Sequence, residues 1–248
     1  MTAPADTAPP VARGVDVLVG TKELRAALSA VLPHASGDPE LPMLHCVVCD
    51  VGPDELIWWA TDNLSAGLTW HEVHSHQAEG LGRFAILPAD AKKLLSIFKA
   101  GKESEDAPEF IVQIQVAQHG DGQYVIITDQ SGLLPGRSYR VPQIYAADAP
   151  APAIDRMLAR MHHSSASWSE ECVFNGEILA RFKAATGAYR EPVQVGAVGE
   201  SRSLIVRCGA HFLGAIAGIS ATEESERERA AWRAEWSDRL PSPTGGMP

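Results

Sequence analysis

The feature that most restricts how this chain can fold is a recurrence. Thr21 stands as a helix cap before Leu24, Ala27, Leu28 and Val31, which share one helical face until Pro33 stops the run. Pro88 opens a second run, in which Ala91, Leu94, Leu95 and Phe98 repeat that spacing up to Gly101. Strand-like runs follow both: residues 44–49 and 56–60 after the first, 110–116 and 124–127 after the second. The later run of each pair closes on Thr-Asp, at Thr61-Asp62 and Thr128-Asp129. Leu24 and Ala91 lie 67 positions apart, and so do Asp62 and Asp129. Two independent landmarks with one offset indicate a duplicated unit.

A third copy is visible further on. Asn175 can cap a helix with Ile178, Leu179, Phe182 and Ala185 inward and Gly187 as its stop, followed by apolar runs at 193–197, 204–208 and 212–219. Short apolar segments at 17–19, 84–87 and 172–174 lead into the three helices. Strands joined by short turns need no crossover helices. The predicted class is therefore α+β, built of repeated strand-helix-strands units with helices on one face of antiparallel sheets. Residues 1–14 read as a flexible leader, 15–146 as a domain of two half-units and 147–167 as a connector holding an amphipathic segment at 154–161. Residues 168–222 read as the third half-unit and 223–248 as a charged, partly helical tail.

Composition narrows the function. With 45% hydrophobic and 21% charged residues the chain can bury a core. Its longest strongly apolar run, 212–219, falls far short of the roughly 20 residues that span a bilayer, and the first residues lack the pattern of a secretory signal. A cytoplasmic location without membrane partners is expected, with Cys46, Cys49, Cys172 and Cys208 as reduced thiols. A net charge of −10 excludes coating nucleic acid with the whole surface and leaves room for a local basic face.

Motifs for catalysis or cofactors gain little support. Cys46 and Cys49 have C-x-x-C spacing without a second pair, and in a strand they point to opposite faces, so they read as core. His71, His74 and His76 with Glu72 read as a solvated loop between half-units, and a metal-dependent enzyme would have to be built there. His162-His163 also reads as a loop. Residues 132–136 lack the lysine of a phosphate-binding loop, and no G-x-S-x-G elbow occurs. Asp62 and Asp129 recur at equivalent strand ends, which suits turn capping better than acid–base work. Trp232 and Trp236 share a face of the tail helix, either packed on the body or docking on a partner. No cofactor or metal and no enzymatic activity are expected.

The order of these pieces resembles bacterial DNA sliding clamps, the beta subunit of DNA polymerase III. The resemblance is carried by Leu41-Pro42-Met43-Leu44 and Ala60-Thr61-Asp62 in the first unit, and by Leu87-Pro88 and Tyr139-Arg140-Val141-Pro142 in the second. Phe174-Asn175 with Leu204-Ile205-Val206 carries it in the third, and Ile154-Asp155-Arg156-Met157-Leu158 matches the segment leading out of a clamp domain. Clamps pair two half-units per domain, whereas this chain shows three. The resemblance implies a shortened clamp that holds or encircles duplex DNA without reading sequence, forms a homo-oligomer and tethers a polymerase or another replication or repair protein. The alternative is a clamp-derived regulator that binds proteins and no longer encircles DNA.

The same resemblance implies site residues. Cationic side chains on the helix faces away from the sheets would attract phosphates: Lys22 and Arg25 on the first helix, Lys92, Lys93, Lys99 and Lys102 on or after the second, Arg181 and Lys183 on the third. Alone, each stripe is what any solvated helix carries; their coincidence on three repeat helices of an acidic chain favours DNA. A clamp's partner-peptide pocket would involve Ala217, Gly218, Ile219 and Ser220, whose sequence departs from the M-P-[VM]-R pattern of clamps.

Overall fold

The first strand, β1 (Val15–Gly20), buries Val15, Val17 and Val19 and leaves Asp16 and Leu18 half-covered, the alternation of a strand with one face in a core. The computed structural model describes residues 14–78, 80–101, 110–120, 122–144, 152–164, 173–198, 202–220 and 222–240. Helix α1 (Thr21–Val31) follows without a loop and buries Leu24, Ala27, Leu28 and Val31. Its cap is Gly20 rather than Thr21: the Thr21 amide donates to the Phe110 carbonyl at 2.7 Å, which holds that residue inside the first turn. Strands β2 (Val47–Val51), β3 (Glu55–Thr61), β4 (Ser65–Glu72) and the short β5 (Ser75–His76) complete the first half-unit. The second repeats it as β6 (Gly82–Ile86), α2 (Pro88–Ile97), β7 (Ile111–His119), β8 (Gly122–Asp129) and β9 (Ser138–Pro142).

The two half-units exchange their first strands. β1 pairs with β7, Val17 opposite Ile114, and β6 pairs with β2, Val48 opposite Ala85. One sheet therefore runs β5-β1-β7-β8-β9, and the other contains β4-β3-β2-β6. Leu24, Leu28, Ala91, Leu94 and Phe98 from the helices fill a single core with Val17, Cys49, Trp58, Phe84 and Ile114 from both sheets. Trp58 and Phe84 meet edge to face at 5.5 Å, a favourable aromatic geometry.

The third half-unit extends the second sheet. The connector holds α3 (Ile154–His163); after it come α4 (Gly176–Ala180), α5 (Lys183–Tyr189), β10 (Val193–Val198), β11 (Ser203–Cys208) and β12 (Phe212–Ile216), and the strand order becomes β10-β11-β12-β4-β3-β2-β6. The expected single third helix is broken at Arg181-Phe182; Leu179 is exposed, and Gly187 lies inside α5, which ends at Arg190 in a left-handed conformation. Asn175 does cap α4, accepting from the Glu177 and Ile178 amides.

At the junction Gly67 of β4 faces Gly214 of β12 across the ladder. A Cβ on Gly67 would come within 2.6 Å of the His34 ring, and one on Gly214 within 2.6 Å of the Phe182 ring. The two glycines thus open a slot in which the His34 and Phe182 rings meet at a tilt of 54°, their centroids 4.8 Å apart, between first and third half-units. Arg181 closes the junction with a 2.5 Å ion pair to Asp62 and a 2.8 Å hydrogen bond to the Ser65 hydroxyl.

The repeat helices share one face of the sheets, and α3 covers the opposite face of the seven-stranded one. Its Ile154 and Leu158 pack with Cys46, Val48, Trp59, Ala66, Ala85 and Ala215. His162 and His163 are the last residues of this helix, not a loop as the doublet suggested. The tail forms α6 (Glu223–Arg239), started by a reciprocal cap between Thr222 and Ser225 and almost wholly exposed. Trp232 and Trp236 meet edge to face at 6.3 Å and are 58% and 43% exposed, so the pair is not buried on the body. No helix among the described residues is long and apolar enough to cross a membrane.

Because the slot at Gly67 has no room for a methyl group, Gly67→Ala should destabilise the fold by about 1–3 kcal/mol. The measurement is the urea unfolding midpoint; an unchanged midpoint would show that His34 can yield.

Candidate nucleic-acid interface

Three helices stand side by side, with α1 touching both α2 and α5. Their buried residues set which positions face outward. On α2, Ala91 and Leu94 point to the core and Phe98 follows them, which leaves Lys92, Lys93, Ser96 and Lys99 exposed at helical spacing. Lys22 is exposed in the first turn of α1, and Lys183 at the start of α5. Lys93 lies 3.7 Å from Asp90, and the neighbouring Tyr139 and Asp90 raise its pKa.

Two expected cations turn out to be ties within the fold. The Arg25 guanidinium donates to the carbonyls of Leu95 and Phe98, orphan acceptors at the end of α2, and so locks α2 against α1. Arg181 is engaged by Asp62 and Ser65, as described above. The outward set is then Lys22, Lys92, Lys93, Lys99 and Lys183; Lys102 lies outside the described residues. Sequence spacing put Arg25 on its helix and Arg181 where the third helix breaks, but could not show what lay beside them.

The expected partner-pocket segment lies between two cavities. Ala217 lines one of about 320 Å³ with Leu64, Pro152, Ile154, Met157 and Met161. Ile219 and Ser220 line another of about 430 Å³ with Val173, Thr222 and Trp232 of the tail. Gly218 separates them, and its Cβ would stand 2.0 Å from the Arg202 carbonyl oxygen, so only glycine fits. The α3 wall of the first cavity was not anticipated as part of a site; the spacing of Ile154, Met157, Leu158 and Met161 was the available signal.

The remaining candidates are structural. Cys46 packs under α3 and Cys49 in the opposite core, and burial pushes the first thiol up to about 11 and the second well above its ordinary value. Cys172 lies outside the described residues. Asp62 accepts from the Leu64 and Ser65 amides and Asp129 from the Ser131 amide, as turn caps do. Burial alone would raise the Asp62 pKa, but the Arg181 hydrogen bond and the Ser65 amide outweigh it and leave the carboxyl below its usual value. Among the described residues no group of three or more His, Cys, Asp or Glu is placed to hold a metal ion.

His71 overturns the solvated-loop reading. It is the next-to-last residue of β4 and buried, with neither ring nitrogen hydrogen-bonded, while His74 is exposed. Burial, with His211 and His74 nearby, lowers its pKa to about 4. Burial and the Arg181 charge, opposed by Asp62, lower that of His34 to about 3.

This arrangement is the fold of the bacterial sliding clamp. The DNA polymerase III beta subunit of Thermotoga maritima superposes with a TM-score of 0.57 at 12% identity, over 90% of this chain and 68% of its own. The Bacillus subtilis sliding clamp gives 0.57 at 11% identity over 90% and 67%, and the griselimycin-bound clamp of Pseudomonas aeruginosa 0.55 at 15% over 86% and 67%. The likeness lies in structure: no protein-family model matches the chain, and no curated protein sequence does.

The buried histidines fix a pH dependence. Above pH 6.5 both are neutral in the folded and the unfolded chain. Below it the unfolded chain takes up protons that the folded chain refuses, so stability falls as pH drops, to about pH 4 for His71 and about pH 3 for His34. Each should contribute a slope of about 1.4 kcal/mol per pH unit. Urea midpoints between pH 6.5 and 4 should decline steeply, and His71→Phe should flatten the decline.

Proposed function

We propose that this chain is a sliding-clamp-like processivity factor. It holds duplex DNA along its lysine-bearing helices and tethers a polymerase or another replication or repair protein to it. The observation that carries the reading is the row α2-α1-α5, three repeat helices side by side with Lys22, Lys92, Lys93, Lys99 and Lys183 exposed on them. Exposed ammonium groups on flexible stems attract phosphates through water and counterion release without reading bases, which lets a duplex move past them. Such a role needs no catalytic group and no cofactor. Subunits would associate edge to edge through sheet strands, and partner segments would enter the cavities beside Ala217 and Ile219.

A second reading is favoured by the exposed Trp232 and Trp236 on a chain of net charge −10: a clamp-derived regulator that contacts proteins and no longer encircles DNA. Lys92→Glu/Lys93→Glu/Lys99→Glu decides between them. For the processivity factor, retention on nicked circular duplex DNA should fall at least tenfold at low salt, with the salt slope reduced by roughly one for every phosphate that is no longer neutralised. Unchanged retention, or none in the parent chain at any salt, would leave the protein-binding reading standing.

A further inference from the structure

The hairpin between β8 and β9 carries Ser131-Gly132-Leu133-Leu134-Pro135-Gly136-Arg137, two leucines set among turn residues. Among the described residues these are the most exposed large apolar side chains: Leu133 is fully exposed and Leu134 80% exposed. The tip stands on a fixed base. The Asp129 amide donates to the Arg137 carbonyl at 2.9 Å, and the Gly136 amide to the Asp129 carbonyl at 2.7 Å. The Ser131 hydroxyl accepts from the Ile111 amide and the Gln130 amide donates to the Ile111 carbonyl, which ties the hairpin to the start of β7. A Cβ on Gly136 would stand 2.9 Å from the Asp129 carboxylate, so any side chain there would push this cap aside. Adjacent leucines held in solvent on such a base contribute nothing to the core and mark a contact surface.

The base of the hairpin borders the helix row. A cleft of about 230 Å³ is lined by Thr21 at the start of α1, Phe98 and Lys99 at the end of α2, and Asp129, Ser131 and Arg137 of the hairpin. Lys99 and Arg137 are exposed. The one acid lining the cleft, Asp129, is engaged by the Ser131 amide and hydroxyl. An ammonium and a guanidinium on one cleft suit the oxygens of a phosphate. Arg137 therefore extends the cationic row of α2 beyond the helix, up to the foot of the leucine tip.

We propose that this hairpin recognises the place where a DNA duplex gives way to a single strand. Lys99 and Arg137 hold a backbone phosphate there, and Leu133 and Leu134 cover the bare face of the last base pair. The proposal rests on the DNA reading above and adds to it a preferred kind of DNA. In a continuous duplex every base face is already stacked, and an apolar side chain enters only by unstacking a step. At a junction the terminal pair presents an open apolar face, which the leucines cover without that cost. The competing occupant for two leucines is a groove on a protein. On a chain of net charge −10, the two cations beside the tip and their continuity with the lysines of α2 favour the polyanion.

Binding of the full chain to two short fluorescent DNAs of equal duplex length tests it. One is a dumbbell closed by a loop at each end, with no bare terminal pair; the other is the same duplex opened at one end into a single-stranded extension. The wild-type chain should bind the junction roughly tenfold more tightly, the scale expected for covering part of two leucines. Both affinities should fall as salt rises while their ratio holds, because apolar cover releases no counterions. Leu133→Ser/Leu134→Ser should erase the ratio and leave dumbbell binding and the melting temperature unchanged. Arg137→Gln should weaken junction binding and lower its salt slope by roughly one. Equal affinity for the two DNAs overturns the junction proposal and spares the DNA reading. So does a preference that survives the loss of both leucines, which would leave the tip to a protein groove. Absence of binding to either DNA overturns both.

Discussion

The reciprocal exchange of β1 and β6 is the constraint on which everything else is built. A half-unit of one helix and a few strands has too little apolar surface to close a core of its own. Placing its first strand in the neighbouring sheet lets both helices share one interior, where Leu24, Leu28, Leu94 and Phe98 meet strands of both sheets. The exchange also fixes how the helices lie. With β1 leading directly into α1 and β6 into α2, the two run side by side, close enough for Arg25 to reach the last carbonyls of α2.

The junction of the first and third half-units uses different means. It is a plain extension of the sheet from β4 to β12, and its precision comes from Gly67, Gly214, the contact of the His34 and Phe182 rings and the Arg181–Asp62 pair. A neutral imidazole in that slot avoids a buried charge beside Arg181, which is why its pKa is depressed. The outcome is positional: α5 is set against α1 and the row of helices grows from two to three. On the opposite face α3 seals the hydrophobic backs of β2, β3, β4 and β12.

Much of this could be read from the sequence because it is local and repeated. The 67-residue offset exposed the duplicated unit, since helix spacing and Thr-Asp strand ends recur together. Strand partners could not be read, because the pairing of β1 with β7 depends on residues almost a hundred positions apart. Arg25 and Arg181 looked like outward cations because helical periodicity shows a face but not the neighbour lying against it. His71 was recoverable: Ser65, Gly67, Thr69 and His71 alternate along one face of β4, and three nearby histidines masked that period. The break between α4 and α5 carries no proline or glycine, and Ala180 and Arg181 are good helix formers, so nothing local marks it.

The pairing of β4 with β12 joins Ser65–Glu72 to Phe212–Ile216, segments separated by most of the chain. At translation rates of roughly 5–20 residues per second, β4 leaves the ribosome many seconds before its neighbour exists. Through that interval the nascent protein displays a naked β-edge beside the empty pocket intended for Phe182. Biogenesis therefore imposes its own demand: something in the cell, whether a chaperone or mere dilution, must keep such intermediates from finding one another until the carboxyl-terminal third arrives.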